Sequence, residues 1–170
     1  MLKRFVLSFA AVTNLLLVDQ VVKELAIRHL KGSLPIEVVP NLFNLAYVEN
    51  RGAAWGMFQG NVWPLAIFAC VALAVLAWKR KSIFPRGIAG TTAELLLYAG
   101  IIGNLVDRVA RGCVVDMFDF HWGVHHFPCF NVADAYITVA AGLLILLGFA
   151  ESWKEKGLRK QKDDARHGEA

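Results

Sequence analysis

The chain has 170 residues, 56% of them hydrophobic, with a formal net charge of +4 and a mean hydropathy of +0.47. That apolar excess excludes an ordinary water-soluble domain and leaves a membrane protein organised as one domain. Twelve of the 18 Lys and Arg fall in three clusters, at 3–4, 79–86 and 154–166, and each cluster flanks an apolar stretch, which is the pattern of membrane topology and not of nucleic-acid binding.

A helix that crosses about 30 Å of hydrocarbon needs about 20 mostly apolar residues. The first candidate span is residues 5–22. Lys3-Arg4 ahead of it also suits a cleavable signal peptide. The length of the run, its lack of a small-x-small cleavage site and the polar pair Asp19 and Lys23 in helical phase favour a retained span. The connection 23–61 holds two short β-prone runs, Ile36 to Val39 and Phe43 to Val48, separated by the turn signal Pro40-Asn41. Asn50-Arg51-Gly52 then turns into an apolar stretch, 52–58, containing Trp55 and suited to the membrane surface. The second span is 62–78, in which Cys70 is a small hydrophobe. The third is 88–106, with Glu94 near its start, close enough to the interface to snorkel.

Beyond the third span, Cys113 to Phe120 and His125 to Phe130 are further β-prone runs, split by Trp122-Gly123. Strands from both polar connections can pair into one platform above the bundle. The fourth span is 132–149, and a charged tail follows at 153–170, frayed or continuing as a wet helix. With all three basic clusters on one side, both termini are cytoplasmic and the connections 23–61 and 107–131 face outward.

Two acids stand out. Asp116 follows Val114-Val115, and Asp134 opens the last apolar run. A carboxylate at a membrane edge costs a few kcal/mol, roughly, unless paired or wet, so it is a functional candidate by default. Two carboxylates held close share one proton, and the pair can activate water with its charged member while the neutral member protonates the substrate. Plainer roles are open to both: a helix cap for Asp134 and a turn or sheet-edge acid for Asp116. Asp119 is a rival to Asp116. His121, His125, His126 and Cys129 make zinc thinkable, but their spacing is irregular, and no metal is expected. Whether Cys113 and Cys129 pair is open. Asn104 and Arg108 share a helix face at i,i+4, as do Asp19 and Lys23. Arg108 suits either helix anchoring or holding a carboxylate or peptide carbonyl. Asp107 and Arg108, being adjacent, diverge on a helix and need not pair.

Taken in order, Asp19-x-x-x-Lys23, Asn50-Arg51-Gly52-Ala53-Ala54-Trp55-Gly56, Gly103-Asn104-Leu105-Val106-Asp107-Arg108, Val114-Val115-Asp116-Met117-Phe118-Asp119-Phe120 and Phe130-Asn131-Val132-Ala133-Asp134 resemble the motifs of the bacterial lipoprotein signal peptidases, or signal peptidase II family. The likeness covers about residues 5–150. It implies four transmembrane helices with a small extracytoplasmic β-cradle and a short interfacial helix, in a single peptidase domain at 1–152. It also implies an aspartic peptidase of the inner membrane that cuts prolipoproteins just before the diacylglyceryl-modified cysteine. By that resemblance Asp116 and Asp134 are the catalytic dyad, chosen over Asp119. Asn50, Gly52, Asn104, Arg108 and Asn131 surround it, and Asp19 and Lys23 support it. No cofactor is implied; the partners are lipidated precursors and membrane lipids, with no nucleic acid, and the chain acts as a monomer. Trp55 stands where Phe is expected, Glu94 is not a family residue, and the loop 121–129 is this chain's own version. The rival readings are a small proton-coupled carrier, with the two Asp residues as a relay, and a non-enzymatic assembly factor whose β loops serve a partner.

Overall fold

The computed structural model describes residues 2–52 and 60–168. The apolar element expected at 52–58 falls, from residue 53 on, outside the described residues.

Helix α1 (Leu2–Leu30) runs well past residue 22. Nothing breaks it before Gly32, whose positive φ of 79° turns the chain while Ser33 N–H closes onto the Leu30 carbonyl at 3.1 Å. One stripe of α1, Asp19, Lys23, Ala26 and Leu30, is buried, whereas Leu7, Phe9, Leu17, Val18 and Val21 are exposed. That helical spacing gives an inner face against the rest of the fold and an apolar outer face suited to lipid.

Strands β1 (Ile36–Val39) and β2 (Phe43–Asn50) form a hairpin at Pro40-Asn41, where Asn41 takes φ 58° and its N–H donates to Glu37 Oε1 at 3.1 Å. Helix α2 (Trp63–Trp78) starts with a proline in its first turn and leads through a short α3 (Arg80–Ile83) into α4 (Ile88–Arg111). Gly112, at φ 69°, ends α4 and releases the chain into β3 (Val114–Trp122) and a short β4 (His125–His126) around a turn at Gly123, φ 57°. Helix α5 (Val132–Gly168) continues unbroken through the charged tail, as the wet-helix alternative expected.

The strands make one antiparallel sheet in the order β1-β2-β3-β4. Both polar connections therefore meet at the same end of the helices, here called the sheet end. A small core of Ala26, Leu30, Val115 and Met117 seats β3 on α1. Helix α4 approaches α5 and α1 closely through two glycines: a Cβ at Gly100 would lie 2.5 Å from the Ala133 carbonyl, and one at Gly103 would lie 2.6 Å from Asp19 Oδ2. Any side chain there would push the helices apart.

Among the described residues three helical stretches, Val6–Leu30, Ile88–Arg111 and Val132–Leu158, are long and apolar enough to cross a membrane. The fourth apolar segment is the 16-residue α2, shorter than the other three. At the end away from the sheet, Glu94 does not snorkel. It is only 8% exposed and takes both the Nε and Nη2 groups of Arg80, the latter at 2.9 Å.

Candidate active site

Asp116 lies on β3 opposite Val48 of β2, within a run of four buried residues. Its carboxylate accepts from two side-chain amides, Asn50 Nδ2 at 3.0 Å and Asn131 Nδ2 at 2.6 Å. The sheet delivers the first, since Asn50 ends β2. The second arrives because the Phe130 carbonyl accepts the N–H groups of Met117 and Phe118, at 3.1 and 2.9 Å, and Phe130 N–H donates back to the Phe118 carbonyl. This bridge clips the residue before Asn131 onto β3.

Asn131 and Asp134 then open α5 with a reciprocal cap. Asp134 N–H donates to Asn131 Oδ1 at 3.0 Å, and Asn131 N–H donates to Asp134 Oδ2 at 3.2 Å. The pattern is a capping box with Asn and Asp in place of the usual Ser and Glu. The cap and the site reading are therefore one geometry, not rivals: the cap uses one oxygen of Asp134, and Asn104 Nδ2 donates to the other at 2.7 Å. Asn131 Nδ2 reaches Asn104 Oδ1 as well, at 3.2 Å. A continuous amide chain, Asn50–Asp116–Asn131–Asn104–Asp134, results.

Asp116, Asp134, Asn50, Asn104, Arg108 and Gly52 all line one cavity of about 1610 Å³. Gly52 is buried, and its N–H donates to Asn50 Oδ1 at 3.0 Å, which turns the Asn50 amide group toward Asp116. Arg108 Nη1 donates to the Asn104 carbonyl at 3.3 Å, while its buried Nε meets no hydrogen-bond partner among the described residues. Burial, then the neighbouring charge of Asp134, push the Asp116 carboxyl up to about 7, against the hydrogen bonds from Asn50 and Asn131. Near neutral pH the Asp116 carboxyl therefore exchanges between its protonated and charged forms.

Asp119, the rival acid, also borders the cavity but is committed elsewhere. It accepts from Asn44 Nδ2 at 3.1 Å and pairs with His126 Nδ1 at 2.7 Å. Burial would raise its carboxyl, but the His126 and Asn44 hydrogen bonds outweigh this and hold it below the usual range. His121 stacks on His126 with ring centroids 5.0 Å apart. Cys70, Cys113 and Cys129 are all free thiols. Burial first, and nearby Asp116 next, push the cavity-lining Cys129 up to about 12, so it is a neutral thiol and no nucleophile at neutral pH.

Behind the cavity lies a second polar layer. Lys23 Nζ sits 3.0 Å from each of three acceptors: Asp19 Oδ2, Asp107 Oδ2 and Asn104 Oδ1. Lys23, Asp19 and Asp107 are all fully buried. Asp107 was not among the residues picked from the sequence. Its i,i+4 relation to Arg111, which pairs with it here, was the available signal. Arg108, next in sequence, faces the cavity instead.

A family model described as signal peptidase (SPase) II matches residues 11–150. A lipoprotein signal peptidase of Syntrophotalea carbinolica is 40% identical over 163 residues, covering 94% of this chain and 98% of that protein. One from Symbiobacterium thermophilum is 38% identical over 140 residues, covering 82% and 92%. A bacterial membrane enzyme solved by the in meso method superposes with a TM-score of 0.76 at 30% identity, over 85% of this chain and 88% of that one. The residues matched by the family model, 11–150, include the whole sheet and the cavity residues named above.

Proposed function

This chain belongs to the signal peptidase II family, and we propose that it removes the signal peptide of prolipoproteins as an aspartic peptidase, with Asp116 and Asp134 as the catalytic pair. One observation carries the catalytic type: a single residue, Asn131, donates to Asp116 through its side-chain amide and to the Asp134 carboxylate through its backbone N–H, so both acids are tied together at one cavity. No cation takes either carboxylate in an ion pair among the described residues, which leaves their protonation free to change.

In the reaction, the charged carboxylate takes a proton from water as the water oxygen bonds to the scissile carbonyl carbon. The neutral carboxyl gives its proton to the carbonyl oxygen. The resulting tetrahedral diol collapses when the C–N bond breaks and the leaving amine takes up a proton. Asp116, whose carboxyl is pushed up to about 7, suits the donor role at the start. Arg108 lines the cavity, its Nε has no hydrogen-bond partner among the described residues, and its role is to hold a carbonyl of the peptide strand.

The bond cut is the one before a diacylglyceryl-modified cysteine. The signal helix lies against the apolar spans and the acyl chains enter the bilayer, so binding energy far from the bond orients it. Helix α2 serves as a fourth span, its 16 residues reaching about 24 Å and tied to the interface by the terminal Trp63 and Trp78. The sheet end then faces outward and both termini face the cytoplasm. Residues 1–152 form the peptidase domain and 153–170 its cytoplasmic tail.

The deciding experiment is mass spectrometry of lipidated and unlipidated precursor, each incubated with the purified parent protein and with its Asp116→Asn and Asp134→Asn forms. The expected result is cleavage of the lipidated precursor by the parent alone, with the unlipidated one cut at least about tenfold more slowly. Cleavage near the parental rate by either Asn form would remove the catalytic assignment, and equal turnover of the two precursors would remove the lipid requirement.

A further inference from the structure

The buried cluster behind the cavity touches the proposed catalytic pair in a way that its composition does not suggest. Asp107 Oδ2 accepts the backbone N–H of Val115, at 3.1 Å. Asp19 Oδ1 accepts the backbone N–H of Ala133, at 2.9 Å. Each acceptor therefore holds the amide immediately before one of the two proposed catalytic aspartates. Lys23 Nζ joins the two acceptors, and its third hydrogen bond goes to Asn104, which itself holds Asp134.

We infer that the Asp19–Lys23–Asp107 cluster is a spacer that sets the distance between β3 and the start of α5, and with it the separation of Asp116 from Asp134, and that Gln20 and Arg111 are positioning residues that keep this spacer intact. This inference rests on the reading of Asp116 and Asp134 as the catalytic pair.

The charge count explains the need for the outer two. Two carboxylates and one ammonium leave a net single negative charge in a fully buried place, which is costly. Arg111, at the edge of the cluster and only partly exposed, adds the missing positive charge by pairing with Asp107 Oδ1. Gln20 ties the outer groups together. Its Nε2 lies 3.1 Å from both Asp19 Oδ2 and Asp107 Oδ1, and its Oε1 accepts from Arg111 Nη1 at 2.9 Å. Gly103 makes room for the arrangement, since a Cβ there would overlap Asp19. With Arg111 neutralised, the negative charge of Asp107 is undercompensated, its grip on Lys23 and on Val115 N–H shifts, and β3 moves relative to α5. Both aspartates remain present but at the wrong separation.

Such a role predicts a fall in kcat with KM unchanged, because precursor binding uses the cavity and the apolar spans while only the approach of the two acids is altered. The test is steady-state cleavage of lipidated precursor by the full-length protein in lipid, normalised to folded enzyme by thermal melting. Arg111→Gln and Asp107→Asn are expected to lose on the order of 10- to 100-fold in kcat, with KM within about twofold of the parent. Arg111→Lys, which restores the charge, is expected to recover most of that loss. Should Asp107→Asn fail to fold, the Arg111 pair decides alone. Parental kcat per folded molecule in Arg111→Gln, or a loss that Arg111→Lys does not recover, overturns the spacer. Asp116→Asn measured alongside separates the two ideas: if it is inert while Arg111→Gln is parental, only the spacer fails; if it cleaves normally, the catalytic reading itself fails.

Discussion

Four of the aspartates at the sheet end of this protein fall into two layers with opposite surroundings. Asp19 and Asp107 are fully buried and ion-paired to Lys23, with Arg111 on the rim. Asp116 and Asp134 line the cavity and are held by amide groups, Asn50, Asn131 and Asn104. Cations hold the rear layer. Neutral amide donors hold the front layer. A buried carboxylate is thus not by itself a sign of chemistry; what matters is whether its partners are cations or neutral donors. Glu94, at the far end of α4, makes the same point, being buried, clasped by Arg80 and outside the cavity wall.

Exchanging the front acids for amides tests the contrast between the two layers most severely. Asp116→Asn and Asp134→Asn are each expected to lower the cleavage rate by on the order of 10³-fold or more, with only a modest fall in melting temperature, because the amide keeps one of the two oxygens that accept hydrogen bonds in each place. A fall in melting temperature with rate retained would place these two in the structural layer instead. Asn131→Ala comes next. It removes the helix cap, at about 1 kcal/mol, and frees Asp116, at about 10²-fold in rate; thermal melting and turnover check the two losses separately.

A smaller effect is the pH response. The Asp116 carboxyl, pushed up to about 7, keeps its proton below that pH and loses it above. With a neutral acid needed to protonate the carbonyl oxygen, kcat is expected to fall as pH rises through about 7. A kcat that stays level well above this point contradicts a proton held on Asp116. The smallest expected change is Glu94→Gln, at about 1 kcal/mol of stability with unchanged kcat and KM. An effect on turnover would mean that the far end of α4 communicates with the cavity.

Much of this was legible in the chain itself. Apolar run length pointed to the three helices long enough to cross a membrane and to the shorter apolar α2, because such segments are local in sequence and hydropathy is a sum over neighbours. The β-prone runs at 36–39, 43–48 and 113–120 became β1, β2 and β3 with small changes at their ends. The spread of α1 to Leu30 was missed, since hydropathy falls after Val22 although no residue there stops a helix. Asp116 and Asp134 stood out because a carboxylate beside an apolar run is conspicuous.

Which segments are apolar and which acids sit at their edges can be read along the chain, since both are properties of single residues and their near neighbours. Which acid meets a cation and which meets an amide emerges only on folding. Lys23 and Asp107 are 84 positions apart (107 − 23), as no local periodicity can register, and are joined by the close approach that Gly103 permits. The Arg80 clasp on Glu94 and the Asn131 bridge between strand and helix arise in the same way, from packing that brings distant backbones within reach of one side chain.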